Sequence, residues 1–367
     1  MSSPTIRWGI FGTGFIAGEF AKGLKFVPQA QLLGIASRTA ANAQKFGEIF
    51  QISRVYDSYE QLVKDPDIDV VYIGTPNDTH KELCLMCLEA GKPVLCEKPF
   101  ALNAEEASEV IKVARRQHLF CMEAMWMRFM PLIQQVKRAI AEGVIGEPKM
   151  LQADFGYIVS DALRLGSANR RNSSLKSSEG VLLDRGIYGL SLAYYLLGTP
   201  SAIQTQANLN SSGVDEQSAI LLNYSTAIAV LSQSLRTQTP NRAVISGTKG
   251  RIIIDELFIM PEKISLEQFS PPDNPFPSPL IPLGSKQKLA AAVKSNSLVR
   301  RLYISLSGLL KSKKVTIMPI TGNGYNYEAM EVVRCLQNGQ LESETMPLNE
   351  TLKITEAMDF IQSQWSK

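Results

Sequence analysis

The stretch Thr5-Ile6-Arg7-Trp8-Gly9-Ile10-Phe11-Gly12-Thr13-Gly14-Phe15-Ile16-Ala17 decides the fold. Residues 5–11 are a short apolar run with strand character, and they pass without a linker into a G-x-G-x-x-A turn. In such a turn Gly12 permits the sharp bend, Gly14 lets the backbone approach a pyrophosphate, and Ala17 allows close packing of helix on sheet. The helix that follows offers its N-terminal amides to phosphate. A glycine turn can also be merely structural, but one placed between a strand and a helix reads as a phosphate cradle, with Thr13, Phe15 and Ile16 as its other members.

Outward from this turn the chain alternates strand and helix. Residues 31–36 read as a second strand and 39–50 as a helix starting at a Thr39 cap. A strand at 55–56 is followed by a helix at 59–64 behind Ser58, and a strand at 69–73 by Gly74-Thr75-Pro76-Asn77. A helix over 79–90 and a strand over 93–96 lead to Glu97-Lys98-Pro99. This order predicts a parallel sheet with helices on both faces, an α/β Rossmann domain over residues 1–125 that binds NAD(P). Ligands of such sheets lie outside the carboxyl ends of the strands, so Thr75, Pro76, Asn77, His80, Glu97 and Lys98 join the glycine turn as candidate cofactor contacts.

The end of the second strand bears on which dinucleotide is bound. An NAD-selective site wants an acidic residue about 20 positions beyond the glycines, and this chain has Ser37-Arg38. A guanidinium and a hydroxyl suit a 2'-phosphate that a carboxylate would repel, so NADP(H) is expected in preference to NAD(H). The competing reading makes Arg38 a solvated charge flanking a helix.

Residues 126–367 have another character. Runs at 149–159, 202–209, 216–224, 227–235 and 241–246 are rich in β-branched and aromatic residues, and Gly247-Thr248-Lys249-Gly250 turns into a further run at 251–255. They predict an α+β domain built on a large, mostly antiparallel, open-faced sheet, serving for substrate binding and oligomerisation. A sheet face left apolar points to a homodimer or higher homo-oligomer. Between the first two runs lies Val181-Leu182-Leu183-Asp184-Arg185-Gly186-Ile187-Tyr188, where Asp184 and Tyr188, four apart, share a face of a helix.

Composition bounds the function. At 367 residues the chain has room for two cores, and a net charge of +3 is too small to argue for nucleic acid as partner. No apolar run approaches a membrane span, and the first residues lack a signal-peptide layout, so a cytoplasmic enzyme is expected. Cys84 and Cys87 have C-x-x-C spacing within a predicted helix, with no second pair or histidine cluster to complete a metal site, so no metal is expected.

These segments resemble the Gfo/Idh/MocA family, named for glucose-fructose oxidoreductase and inositol dehydrogenase. The resemblance is carried by the glycine turn, Ser37-Arg38, TPNDTH at 75–80, AGKPVLCEKP at 90–99, EGVLLDRGIY at 179–188 and SGTKGRIII at 246–254. Within the family, EAMWMRFMP at 123–131 and GNGYNYEAMEVVRCL at 322–336 are similar to the branch of trans-1,2-dihydrobenzene-1,2-diol and NADP-dependent D-xylose dehydrogenases. The resemblance implies a hydride transfer between nicotinamide and a carbinol or carbonyl carbon of a sugar, polyol or diol. It also implies Lys98 as the catalytic lysine, Asp184 as its supporting carboxylate and Tyr188 as acid/base. Many members have histidine where Tyr188 stands, whereas the diol and aldose dehydrogenases use tyrosine. A free phenol, with a pKa of about 10, is a poor base, and a lysine ammonium beside it would favour the phenolate.

Other positions stay open. Trp126 and Arg128, at the junction of the domains, are either substrate contacts or interface core; His80 and His118 read as structural; Lys98-Pro99 is a candidate cis bond. A non-catalytic ligand sensor and a reductase of a planar acceptor such as a linear tetrapyrrole are the rival functions. Residues 270–320 look like an insertion: the stretch between Asn274 and Tyr327 has no acidic residue, and it includes Lys286, Lys288, Lys294, Arg300, Arg301, Lys311, Lys313 and Lys314 alongside apolar residues at helical spacing. That pattern fits a packed helix with a solvated basic face, a lid that recruits acidic substrates, or weak contact of residues 285–314 with a membrane surface.

Overall fold

The computed structural model describes residues 4–160, 180–269, 297 and 313–365. Its first sheet is wholly parallel and runs β3-β2-β1-β4-β5-β6, with β1 Ile6–Phe11, β2 Ala30–Ala36, β3 Arg54–Tyr56, β4 Val70–Ile73, β5 Val94–Glu97 and β6 Cys121–Ala124. The central strands are buried on both faces, which is why they read as near-continuous apolar runs. The order reverses between β1 and β4, so the loops leaving these two strands diverge and open a crevice at the carboxyl edge. Helices α1 Phe15–Leu24, α2 Ala40–Phe50, α3 Tyr59–Val63, α4 His80–Glu89 and α5 Ala104–Arg116 connect the strands.

A short 3-10 turn, Trp126–Phe129, and α6 Pro131–Ala141 lead to the second sheet. Its order is β14-β13-β12-β11-β7-β10-β9-β8, with β7 Pro148–Gly156, β8 Ala202–Leu209, β9 Asp215–Asn223, β10 Ile228–Ser234, β11 Ala243–Gly247, β12 Gly250–Ile254, β13 Lys263–Gln268 and β14 Lys313–Ile317. All its pairs are antiparallel except β7 with β10. The mixed α/β and α+β architecture expected from the sequence is the one observed. Helix α7 Ile187–Leu197 is buried along its whole length against the inner face of this sheet, and its mainly apolar sequence, IYGLSLAYYLL, is what such enclosure requires. Helices α8 Tyr325–Gln337 and α9 Leu348–Trp365 return to the first sheet's helices, α8 onto α1 and α9 onto α5. Asn323 Nδ2 donates to Glu19 O, and Asp359 accepts from the Ala104 amide at the start of α5.

Strands β13 and β14 were not anticipated. Lys313 and Lys314 open β14, so the basic stretch ends in a strand, and its surplus of lysine hid the alternation that follows. The predicted basic amphipathic segment otherwise lies outside the described residues, and with it the surface contact expected of 285–314. On the outer face of the second sheet Met150, Ile228, Val230 and Val315 lie at 37–44 % exposure, while Ser265, paired with Val315, is buried. Among the described residues no helix is long and apolar enough to cross a membrane, and no cluster of three or more His, Cys, Asp or Glu could hold a metal ion. Cys84 and Cys87 are free and buried, as simple core thiols.

Candidate active site

A cleft of about 810 Å³ opens at the carboxyl edge of the first sheet, where the strand order reverses. Its lining brings together Gly12, Thr13, Gly14, Phe15, Ile16, Ser37, Arg38, Thr75, Pro76, Asn77, Glu97, Lys98 and Asp184. Gly12 sits at φ +101°, where a Cβ would meet the Gly74 carbonyl oxygen at 2.6 Å, so only glycine allows the β1 and β4 loops to approach this closely. Gly14 differs: nothing lies within 4 Å of where its Cβ would stand. The backbone there is bare toward the cleft, and α1 begins beside it with neither a side-chain cap nor an acidic residue in its first turn. Uncapped amides and an open glycine are the features that fit a pyrophosphate. At the far end Ser37 and Arg38 are joined by Thr39 and Asn42, from the start of α2, and by Tyr59, whose ring packs on Phe11 with centroids 4.4 Å apart. The sequence reading missed Thr39, Asn42 and Tyr59. All three follow the carboxyl ends of β2 or β3, so the rule that marked the other loops also covers them.

Lys98, the residue after β5, crosses from the first sheet to the segment before α7. Its Nζ donates to the Asp184 main-chain oxygen at 3.0 Å and lies 3.4 Å from Asp184 Oδ1. It stands 5.1 Å from the centroid of the Tyr188 ring. Asp184 does not lie on a regular α-helix as expected: Leu182–Gly186 is wound as a π-helix, continuing into α7 with Tyr188 in its first turn. The wider winding still leaves Asp184 and Tyr188 within reach of one lysine, and such turns collect at functional positions. Asp215, buried at the start of β9, accepts from the Leu182 amide at 2.7 Å and so caps this segment from a distant strand.

Lys98 is held charged. Burial works against its ammonium, but Tyr188, Asp184 and Glu97 together push its pKa above the usual lysine range. The Tyr188 contribution exists only for a phenolate, so at neutral pH it is the two carboxylates that act. Asp184 is 55 % exposed, into the cleft. Partial enclosure pushes its carboxyl upward, but Lys98 and Arg185 outweigh this and hold it below the usual range. Burial pushes the Tyr188 phenol up by more than Lys98 and the Trp126 hydrogen bond pull it down. The resting phenol is therefore protonated at neutral pH, and the lysine moderates its pKa without reversing the effect of burial. Trp126 Nε1 donates to the Tyr188 oxygen at 3.0 Å, which leaves the phenol's own proton for another acceptor.

Other sequence candidates are placed differently. Arg128 is fully buried, donating to Ser191 Oγ at 2.7 Å, Ser191 O at 2.9 Å and Glu350 Oε1 at 3.0 Å, with the Tyr195 ring beneath it; it ties helices together and does not line the cleft. Trp126 is buried too, stacked on Tyr325 at 4.9 Å, and reaches the site only through the Tyr188 oxygen. His80 is fully enclosed between the carbonyls of Pro99, 2.8 Å, and Thr75, 3.0 Å, so it joins two cleft loops from behind. Glu97 reaches the cleft wall but is mostly buried, accepting from Tyr72 Oη at 2.6 Å. The Lys98-Pro99 bond is cis. Tyr188 is itself 6 % exposed and lies behind Lys98.

This cleft, lined by a bare glycine turn, by Ser37-Arg38 and by the Lys98-Asp184 pair with Tyr188 behind the lysine, can be compared with known proteins. The family model for the NAD-binding Rossmann fold of the Gfo/Idh/MocA oxidoreductases matches residues 6–125, and that for the family's C-terminal domain matches 133–253. The chain belongs to the Gfo/Idh/MocA oxidoreductase family. Trans-1,2-dihydrobenzene-1,2-diol dehydrogenase of Mus musculus is 31% identical, over 96% of this chain and 95% of its own, and that of Xenopus tropicalis is 32% identical over 96% of each. Among solved structures, the NAD binding oxidoreductase of Klebsiella pneumoniae superposes at a TM-score of 0.76 with 22% identity, covering 99% of this chain and 97% of that one. The 3-ketoreductase KijD10 of Actinomadura kijaniata, crystallised with NADP and TDP-benzene, gives a TM-score of 0.73 with 21% identity, covering 98% and 97%. As a Gfo/Idh/MocA member the chain is an oxidoreductase with an NAD(P)-binding Rossmann domain.

Proposed function

We propose that this oxidoreductase uses NADP(H) and acts on a carbinol or carbonyl carbon of a sugar, polyol or dihydrodiol, with Tyr188 as acid/base and Lys98 and Asp184 as its partners. The observation that carries the reading is the Lys98 bridge: one ammonium touches Asp184 and faces the Tyr188 ring, in the same cleft that the glycine turn and Ser37-Arg38 line. Gly12, Thr13, Gly14, Phe15 and Ile16 would hold the pyrophosphate, Ser37 and Arg38 the 2'-phosphate, and Thr75, Pro76, Asn77 and Glu97 the remainder. When bound, the nicotinamide supplies or accepts the hydride.

The chain's own residues move the proton. In reduction, the protonated phenol of Tyr188 gives its proton to the oxygen of the forming alkoxide, and the Trp126 hydrogen bond and the Lys98 charge receive the negative charge left on the phenolate. In oxidation the same phenolate takes the hydroxyl proton. Lys98 keeps the cost of that phenolate down, and Asp184, with Oδ1 toward Lys98 and Oδ2 toward Arg185, holds the lysine in place at the cleft wall. Two of the relatives named above are diol dehydrogenases and one structural neighbour a ketoreductase, which supports a hydroxylated or keto substrate.

Initial rates with NADP and NAD against aldoses, polyols and aromatic dihydrodiols, with NADPH and biliverdin alongside, test this reading. Turnover of a diol, polyol or aldose with NADP is expected. Cofactor binding with no turnover of any of them would sink it in favour of a sensor, and turnover of biliverdin alone would favour the tetrapyrrole reductase. The exposed Met150, Ile228 and Val230 on the outer face of the second sheet support a homodimer, two copies covering each other's outer face.

A further inference from the structure

Arg185, the residue after Asp184 in the π-helical turn, does not line the cleft. Its side chain is 11 % exposed and packs against the second sheet, where Nη1 donates to the main-chain oxygens of Tyr157, at 2.7 Å, and Ser234, at 2.5 Å. Ser234 ends β10 and Tyr157 follows the last residue of β7, the two strands that form the parallel pair of this sheet. One guanidinium nitrogen thus joins the carboxyl ends of both. The rings of Phe155 and Tyr157 lie under the guanidinium, with centroids 5.8 and 5.9 Å from its central carbon. Phe155 in turn meets the Tyr188 ring edge-on, centroids 5.7 Å apart at 77°. From this fixed position Nε of Arg185 stands 3.4 Å from Asp184 Oδ2.

The two oxygens of the Asp184 carboxylate are therefore held unequally. Oδ1 is 3.4 Å from Lys98 Nζ, an ammonium on a flexible stem, whereas Oδ2 faces a group pinned by two carbonyls and two rings. Asp184 is 55 % exposed, so with the lysine alone it could rotate toward solvent and take Oδ1 away. An exposed ion pair fixes such a side chain only weakly, and an immobile guanidinium on its other oxygen removes that freedom. We propose that Arg185 is a positioning residue: it fastens the Asp184 carboxylate to the ends of β7 and β10, and so holds the Lys98 ammonium before the Tyr188 ring. A lysine there would supply the charge without the fork, because one ammonium would have to serve two carbonyls and a carboxylate from a single point. The main chain of the turn has its own anchor, Asp215 at the Leu182 amide, so the fold does not depend on Arg185 alone. The inference rests on the reading of Lys98 and Asp184 as partners of Tyr188.

A double-mutant cycle on the full-length protein tests this, with Arg185→Gln, Arg185→Lys and Asp184→Asn made singly and combined, together with a crystal structure of Arg185→Gln. Arg185→Gln is expected to lower kcat by about 10–100-fold, the cost of misplacing a reacting group by about 1 Å, with KM changed far less. Arg185→Lys, which keeps the charge and the aliphatic stem, is expected to show a smaller loss of the same kind. In the Asp184→Asn background neither change is expected to cost more than about threefold further, because the group through which Arg185 acts is already gone. The crystal structure is expected to show Asp184 Oδ1 outside ion-pair distance of Lys98 Nζ. Wild-type kcat in either Arg185 variant, a loss undiminished in the Asp184→Asn background, or an Asp184-Lys98 pair unmoved in the crystal would overturn the proposal. The crystal readout does not depend on turnover. If Asp184→Asn alone turns over normally while Arg185→Gln releases the pair, the proposed role of Asp184 in the reaction fails and the fastening by Arg185 stands, so the two readings fail separately.

Discussion

Nζ of Lys98 stands 5.1 Å from the centroid of the Tyr188 ring, facing the π-system of the phenol, while its hydrogen bond goes to the Asp184 carbonyl. The lysine thus acts on the tyrosine through its field, whereas Trp126 holds the phenol oxygen directly. Tyr188→Phe removes the only proposed proton donor and is expected to lower kcat by about 10²–10⁴. Lys98→Met is expected to lower it comparably and to move the basic limb for substrate oxidation to higher pH. The sign follows from the phenol: burial already raises its pKa, Lys98 partly offsets this, and removing the lysine raises it further. Fluorescence titration with NADPH should show binding largely retained in both variants. Near-normal turnover at saturating cofactor in both would remove the proposed roles.

Arg38 lines the same cleft as Ser37, with Thr39 and Asn42 beside them. A charged hydrogen bond to phosphate contributes about 1.5–3 kcal/mol, so Arg38→Ala is expected to raise KM for NADP by about 10–100-fold and leave KM for NAD nearly unchanged. Parallel steady-state kinetics with the two cofactors measure this. Equal loss for both would make Arg38 a flanking charge, as the competing reading of the sequence had it.

Much of this site was legible in the sequence, and the parts that were not share a cause. The glycine turn, Ser37-Arg38 and the Lys98 loop each sit where a parallel strand ends, so a local pattern plus one topological rule was enough to mark them. Arg128 was marked by its place at a domain junction, but whether a guanidinium faces a cleft or a carboxylate depends on α9, more than 200 residues away, which supplies Glu350. Arg185 and Asp215 gave no local signal: one is a basic residue beside Asp184, the other opens a strand. Their partners exist only after β7 pairs with β10 and β9 lies beside the π-helical turn.

Asp215 gives a stability prediction with a defined sign. Burial raises its carboxyl to about 6, above the unfolded value, so its contribution to stability is complete below about pH 4 and is lost as the pH rises through about 6. Asp215→Asn can still accept from the Leu182 amide but carries no charge. Its Tm relative to wild type is expected to improve from pH 4 to pH 7, by differential scanning calorimetry, while Asp215→Ala loses the cap, about 1–2 kcal/mol, at both. A constant difference between Asn and wild type would place the charge of Asp215 outside the account.

On the outer face, Ile228 pairs across from Met150 and Val230 across from Gln152, so a single lysine at Val230 puts a charge beside the exposed Ile228-Met150 pair. Val230→Lys is expected to halve the mass of a dimer in sedimentation analysis while leaving the monomer folded, because that side chain faces away from the core. A wild-type protein that sediments as a monomer at micromolar concentration would remove the dimer from the reading.

The two glycines of the turn should separate folding from binding. At Gly12, with φ +101° and the Gly74 oxygen 2.6 Å from a would-be Cβ, alanine forces the β1 and β4 loops apart, and Gly12→Ala is expected to lower Tm as well as affinity. At Gly14, with φ −74° and open space around the added carbon, alanine is compatible with the fold, and Gly14→Ala is expected to melt like wild type. What the methyl group occupies there is the approach of a ligand to the amides that start α1. Its cost should therefore appear only in the dissociation constant of NADPH, by calorimetric titration. If Gly14→Ala binds NADPH as tightly as wild type, the pyrophosphate does not lie against this turn, and the orientation proposed for the dinucleotide in the cleft is wrong.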